Sequence, residues 1–266
     1  MKKVLIIILA IFGLFAIGFM AIIWDYIYYP MIKYKAEDKA FLHLKTTYQE
    51  DFVIDSVTYE KQFGEHTGSY YITAHPKAHK DIDFSMYVGQ DFKVSNDSYK
   101  ESKWRNDMIQ EYAPLIDALS PGFRSYAVNL PIPEGLINKY NIETNYGDIR
   151  KQNENNEEYL FMGAAVDAGF NEQQSLEFGY RVAEFMKQRN LKNASIEINF
   201  YPKSFLDGLD ENNRRMSVFD FRSKFFKDSL PFRISYDSRI NKTKTSLTEV
   251  KSPEDMKPFL VYTRNK

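Results

Sequence analysis

His75 and His79, in the stretch AHPKAHKDID, stand four residues apart and are followed by Asp81 and Asp83. Imidazole nitrogens and carboxylate oxygens together form the mixed donor set that zinc and similar divalent ions accept. Spacing of four brings two side chains together only on a helix. Pro76 and the alternating residues on both sides make this stretch a turn between strands instead. The sequence therefore reads as a solvated hairpin turn with no metal assigned; His75, His79, Asp81 and Asp83 are the residues a metal would use. The polar stretch Asp207–Asn213, DGLDENN, has oxygen ligands without the D-x-D-x-D-G order and terminal Glu of a calcium loop.

Other chemistry is less well supplied. The sequence has no G-x-S-x-G elbow, no S-x-x-K, no H-E-x-x-H and no phosphate-binding G-x-x-x-x-G-K, and its 12 Gly are scattered. The absence of Cys removes disulfides, thiol nucleophiles and zinc ribbons. Basic and acidic side chains nearly balance, 35 against 36, which gives no basic face for nucleic acid. No cofactor and no nucleic-acid partner are expected; no motif assigns an enzymatic activity, which does not exclude one, because active sites assemble from distant residues. Aromatic residues are abundant, 19 Tyr and 21 Phe, and Tyr59, Tyr70, Tyr71 and Tyr87 fall in strand-like runs. Cross-strand stabilisation is the favoured role of these four; the alternative is a protein partner, since tyrosine gives a large contact area at little entropic cost and a Tyr-bearing sheet face suits such a surface.

The elements that would position such groups begin with Val4–Trp24, 21 consecutive uncharged residues. At about 1.5 Å per residue this run spans a hydrocarbon layer of roughly 30 Å. A cleaved signal peptide is the rival reading, with Ala16-Ile17-Gly18 as its cutting site. A cut there would leave FMAIIWDYIYYP as a sticky apolar terminus, so retention is favoured. Residues 1–24 are then a transmembrane anchor partnered by the lipid bilayer through 4–24. Residues 25–35 form an interfacial linker, with Trp24, Tyr26, Tyr28 and Tyr29 as an aromatic collar at the membrane surface. Lys2 and Lys3 favour a cytoplasmic N-terminus while Lys33, Lys35 and Lys39 on the other side blunt the asymmetry; the expectation is that the rest of a single-pass protein lies outside the cell membrane.

Downstream, helix and strand patterns alternate. Ala36, Ala40, Phe41, Leu44 and Tyr48 fall on one helical face, and Phe52–Glu60, Ser69–Ala74 and Ile82–Val88 read as strands. Ser98 and Glu101 form an S-x-x-E capping box for a helix carrying Trp104, Met108, Tyr112, Leu115 and Leu119, with Pro114 as a kink or stop. Phe123–Leu130, Tyr159–Val166, the alternating Ala194–Phe200, Met216–Phe226, Phe232–Tyr236 and Phe259–Tyr262 add strands, and Asn171 with Gln174 caps another helix. The expected fold is α+β, antiparallel sheets packed against helices in two similar subdomains, 36–130 and 159–266, with 131–158 as linker.

The stretches KAEDKAFLHLKTTYQEDFVIDSVTYE, GSYYITAHPK, DIDFSMYV and SNDSYKESKW resemble the YfjL-like group of uncharacterised membrane-anchored proteins of Gram-positive bacteria. The resemblance covers about residues 1–120 and rests on Tyr71, Thr73–Lys77, Tyr99 and Trp104; Ile72 and Thr73 before Ala74, and His75 within the turn, depart from it. It implies an anchored extracytoplasmic domain and transfers no catalytic residue. The functional expectation is a membrane-anchored binding or interaction module. The alternatives are an immunity protein that binds a secreted toxin, and a cell-envelope hydrolase whose site has no sequence signature.

Overall fold

Alternation along Phe84, Met86 and Val88 and along Tyr70, Ile72 and Ala74 buries one face of each strand and leaves the other wet, the pattern of a sheet covered on a single side. The computed structural model describes residues 2–62, 65, 67–123, 125–129, 132, 134–152, 157–189, 191, 193–214, 216–237 and 247–262, without the side chains of 2–10, 21, 22, 25, 134, 157 and 193. The fold is α+β, with antiparallel sheets packed against helices, in two compact units that divide between Lys103 and Trp104. That division falls upstream of 131–158, the stretch read as a linker.

The first unit begins with α1 (Lys2–Ile23), a π-helical turn at Trp24–Tyr28, α2 (Tyr29–Met31) and α3 (Lys33–Tyr48). Pro30, which has no N–H to donate, lies directly after the π-helical turn in a continuous helical stretch. Ala36, Ala40, Leu44 and Tyr48 form the buried stripe of α3, which ends where Gln49 turns left-handed and donates its N–H to the Lys45 carbonyl. The sheet is a meander of β1 (Phe52–Glu60), β2 (Ser69–Pro76), β3 (Phe84–Gly89) and β4 (Val94–Asp97), in that order. β4 has no counterpart in the sequence reading. Beneath the sheet Tyr48 packs edge to face with Tyr99, and Phe52 with both Phe84 and Tyr99, while the Phe84–Tyr99 pair is tilted; the Phe52 and Tyr99 centroids are 5.0 Å apart. The Ser98 hydroxyl meets the Ser85 backbone, accepting from its N–H at 3.1 Å and donating to its carbonyl at 2.9 Å.

α4 (Tyr99–Leu119) runs on through Pro114, so of the two expectations there, a kink or a stop, the stop does not occur. Its residues from Trp104 belong to the second unit, where Trp104, Met108, Tyr112, Ile116 and Leu119 are buried. β5 (Ser125–Asn129) is followed by α5 (Glu134–Lys139) and α6 (Tyr146–Gln152), helices within the stretch read as linker. Then come β6 (Glu157–Val166), α7 (Glu172–Gln188) and β7 (Asn193–Pro202). After them the chain forms α8 (Lys203–Asp207), α9 (Glu211–Arg214), α10 (Val218–Phe225), β8 (Phe232–Asp237) and β9 (Leu260–Tyr262), with 3-10 turns at Phe226–Asp228, Leu247–Glu249 and Pro253–Phe259.

The five strands lie in the order β5-β6-β7-β8-β9, and β6 pairs parallel with β7 while the other pairs are antiparallel. One parallel pair thus enters an otherwise antiparallel plan, and this five-stranded order differs from the four-stranded meander of the first unit, so the two are not the similar subdomains expected. A parallel pair needs a long crossover, and α7 supplies it. Asn171 and Gln174 close the expected capping box at its start. Leu160, Met162 and Ala164 of β6 and Ile196, Ile198 and Phe200 of β7 are buried with Leu176, Val182, Ala183 and Met186 of α7 in one core.

Met216–Phe226, read as a strand, is mostly α10: Ser217 caps it by accepting the Asp220 N–H, and Val218 and Phe221 make its buried stripe. Gly179 lets α7 approach β8 closely, since a Cβ there would lie 3.1 Å from Met256 and 3.2 Å from Ile234. Gly179→Leu is expected to lower stability by about 1 to 3 kcal/mol through overpacking, read as a lower urea midpoint with unchanged slope; an unchanged midpoint would contradict the packing.

Candidate functional site

The wet face of the first sheet collects the polar side chains that the sequence placed in a turn. Between Ile54 and Ser56 the β1–β2 register shifts, because those two residues pair with the adjacent Ala74 and Thr73. Asp55 is the extra residue of this β-bulge, a feature that re-aims a side chain. Its carboxylate lies 2.8 Å from Nδ1 of His75. Asp83, just before β3, brings a second carboxylate, and one ligand atom from each of Asp55, His75 and Asp83 lies within 4.8 Å of the others. The His75 side chain is mostly covered, while both acids are exposed.

Of the four residues named from sequence, His75 and Asp83 come together, whereas His79 and Asp81 stay exposed in the β2–β3 turn, outside the cluster. Asp55 was missed because its partner is 20 residues away and only the bulged register reveals the pairing. His66 lies outside the described residues. His43, on α3, pairs with Asp97 at 2.9 Å, and Asp97 also accepts the Tyr48 hydroxyl at 2.6 Å.

The four strand tyrosines separate onto two faces. Tyr71 and Tyr87 are register partners on the wet face, with centroids 5.3 Å apart and Tyr87 38% exposed. Beside them the Ser56 and Thr73 hydroxyls share a 2.8 Å hydrogen bond. Tyr70 is fully buried and Tyr59 half-buried on the opposite face, which removes Tyr70 from any binding surface. Both contact Tyr29 of α2. Tyr29 stacks on Tyr59 at 5.4 Å, and the Tyr70 hydroxyl donates to the Tyr29 carbonyl at 3.1 Å. Trp24 stacks on Tyr28 at 4.3 Å, and Trp24 and Tyr26 remain more than half exposed.

The second unit buries charge. Glu158, fully buried on β6, accepts the Tyr112 hydroxyl at 2.7 Å and pairs with Arg150 at 3.0 Å. Arg150 also pairs with Glu111 at 3.0 Å, and Glu111 pairs with Arg189, whose guanidinium lies over the Tyr112 and Phe185 rings. Burial raises the Glu158 carboxyl above its ordinary range, against the opposing pull of Arg150 and Tyr112. Burial also lowers the Arg189 guanidinium to about 10 and pushes the Tyr112 hydroxyl well up.

On the other face of this sheet Glu197 of β7 meets Arg222 at 2.6 Å and Arg233 at 3.2 Å. Nearby, Phe219, Arg222, Ser223 and Phe226 line a shallow cleft of about 340 Å³. A second cleft, of about 230 Å³, lies where β6 and β7 end, and Asp167 and Lys203 pair across its rim at 3.1 Å. Its other walls include Leu119, Val166 and Phe170, and among the described residues neither lining contains His.

Among the described residues no helix is long and apolar enough to cross a membrane; the side chains that complete the run 4–24 at its two ends, 4–10 and 21–22, lie outside them. No protein-family model matches the chain, and no curated protein matches it either. A solved structure, the crystal structure of a DUF5037 family protein from Ruminococcus gnavus ATCC 29149, is similar at 14% identity and a TM-score of 0.46, over 84% of this chain and 99% of that one. A likeness at that score carries no inference about what this chain does.

Proposed function

We propose that the chain is a single-pass membrane-anchored binding domain, held outside the cell by its N-terminal helix. The observation that carries this reading is the exposure of α1. Ile11, Phe12, Leu14, Phe15, Ile17, Phe19 and Met20 are 48% to 75% exposed, on every side of the helix. A helix apolar all round is stable where its whole surface meets hydrocarbon or protein. The uncharged run Val4–Trp24 is long enough to span a bilayer. Lys2 and Lys3 before it favour the cytoplasmic side, and the exposed Trp24 and Tyr26 sit where an interfacial collar belongs. The resemblance to YfjL-like anchored proteins supports the same placement.

The binding half of the reading rests on the Tyr71–Tyr87 pair, which offers aromatic area on an otherwise polar face. Its partner would be a protein; a secreted toxin met at the membrane surface is the immunity variant of this reading.

Carbonate-washed membranes are expected to retain the full chain, and a chain starting at Asp25 to leave them. Protease added to intact cells is expected to remove a tag placed after Lys266. A full chain found in the wash would overturn the anchor, and a tag cleaved only after lysis would overturn the sidedness.

A further inference from the structure

We propose that Asp55, His75 and Asp83 form a binding site for a divalent transition-metal ion of the zinc class. Three different chain segments converge on this point: the β1 bulge, the end of β2 and the residue before β3. Their ligand atoms all lie within 4.8 Å of one another. The bulge is the device that makes this possible. In a regular ladder one residue of β1 would face each residue of β2; the extra residue puts the Asp55 carboxylate against the His75 imidazole at 2.8 Å. Two ligands of one tetrahedral ion sit slightly farther apart than that, so accepting a cation requires the pair to separate by less than about 1 Å.

The chemistry of the donors selects the ion. One imidazole nitrogen with two carboxylates suits zinc or manganese, whereas calcium and magnesium take all-oxygen sets. The two carboxylates bring negative charge that a dication neutralises, and the imidazole ring offers a nitrogen donor beside them. The mostly covered His75 side chain fixes one ligand on the strand, and the two exposed acids can adjust around it. Three protein ligands leave a tetrahedral ion one position open to solvent, the arrangement of sites that bind an exchangeable fourth ligand.

The test is calorimetric titration of the full chain, kept in mild detergent, with zinc chloride alone. One equivalent is expected to bind saturably. His75→Ala, Asp55→Asn and Asp83→Asn should each weaken binding by at least about tenfold. His79→Ala and Asp81→Asn, which change the same turn outside the cluster, should leave it unchanged, as should His43→Ala at the other His–Asp pair. Manganese should broaden the His75 ring resonances selectively over those of His79. Asp83→Asn alters one exposed side chain outside the strand ladder, so it carries the test even if His75→Ala fails to fold. Absence of saturable binding, full binding in Asp83→Asn, or loss of binding in His79→Ala would each overturn the site.

Discussion

Arg150→Met is expected to destabilise the second unit by about 3 to 5 kcal/mol at neutral pH, because it strips a fully buried carboxylate of its counter-charge. Glu111 keeps Arg189 as a partner, whereas Glu158 is left with the Tyr112 hydroxyl. The pH dependence gives the prediction its signature. In the folded chain the Glu158 carboxyl is raised above its ordinary 4.5, first by burial, with Arg150 pulling the other way. A raised acid favours the fold while protonated, and that contribution disappears as pH rises through the folded value. Removing Arg150 raises the folded value further. The deficit of Arg150→Met should therefore be largest at neutral and alkaline pH and shrink as pH falls toward the ordinary carboxylate range. Glu158→Gln in the Arg150→Met background should recover much of the loss and flatten the pH dependence. Urea unfolding followed by the fluorescence of the buried Trp104 measures both; a deficit that is the same at about pH 5 and pH 8 would mean that Glu158 is not the charged partner.

Trp104→Ala is expected to cost about 3 to 5 kcal/mol, the range for emptying a fully buried aromatic site. Two losses combine. The side chain packs in the core of the second unit at the head of a stripe that continues through Met108, Tyr112 and Ile116. Its indole N–H also donates to the Thr144 carbonyl at 2.9 Å, tying the turn before α6 to α4. Beyond the lower urea midpoint, measured here by circular dichroism because the fluorophore is gone, hydrogen exchange should quicken in 141–152. A midpoint shift without faster exchange there would show that the indole bond does not order that turn.

Legibility in the sequence followed the range of the interaction that decides each element. α7 could be read because its cap is local, Asn171 to Gln174, and its buried stripe recurs at helical spacing. The strands β3 and β7 could be read from alternation alone. Met216–Phe226 was misread because its aromatic residues favour strands, while the deciding feature is one serine hydroxyl at Ser217. β4 is four residues long, too short to show a period. Short α5 and α6 lie in a polar stretch whose composition resembles a loop. For the candidate site, His75 and Asp83 were visible as residue types, but their association with Asp55 depends on a strand register that no local pattern encodes. Alternation alone puts the adjacent Tyr70 and Tyr71 on opposite faces, whereas the pairing of Tyr71 with Tyr87 depends on register.

The bulge at Asp55 has a consequence for coexistence with other copies of the chain. β1 is a terminal strand of its sheet and the longest of the four, at nine residues. A long, flat border strand offers unpaired backbone groups to any neighbouring polypeptide and so seeds aggregation. A bulge part-way along breaks the regular spacing of those groups, and Asp55 and Glu60 add charge that a second strand would have to accommodate. The irregularity that aims one carboxylate at His75 thus also makes this border a poor template for self-association, a protection that matters most where many copies are crowded together.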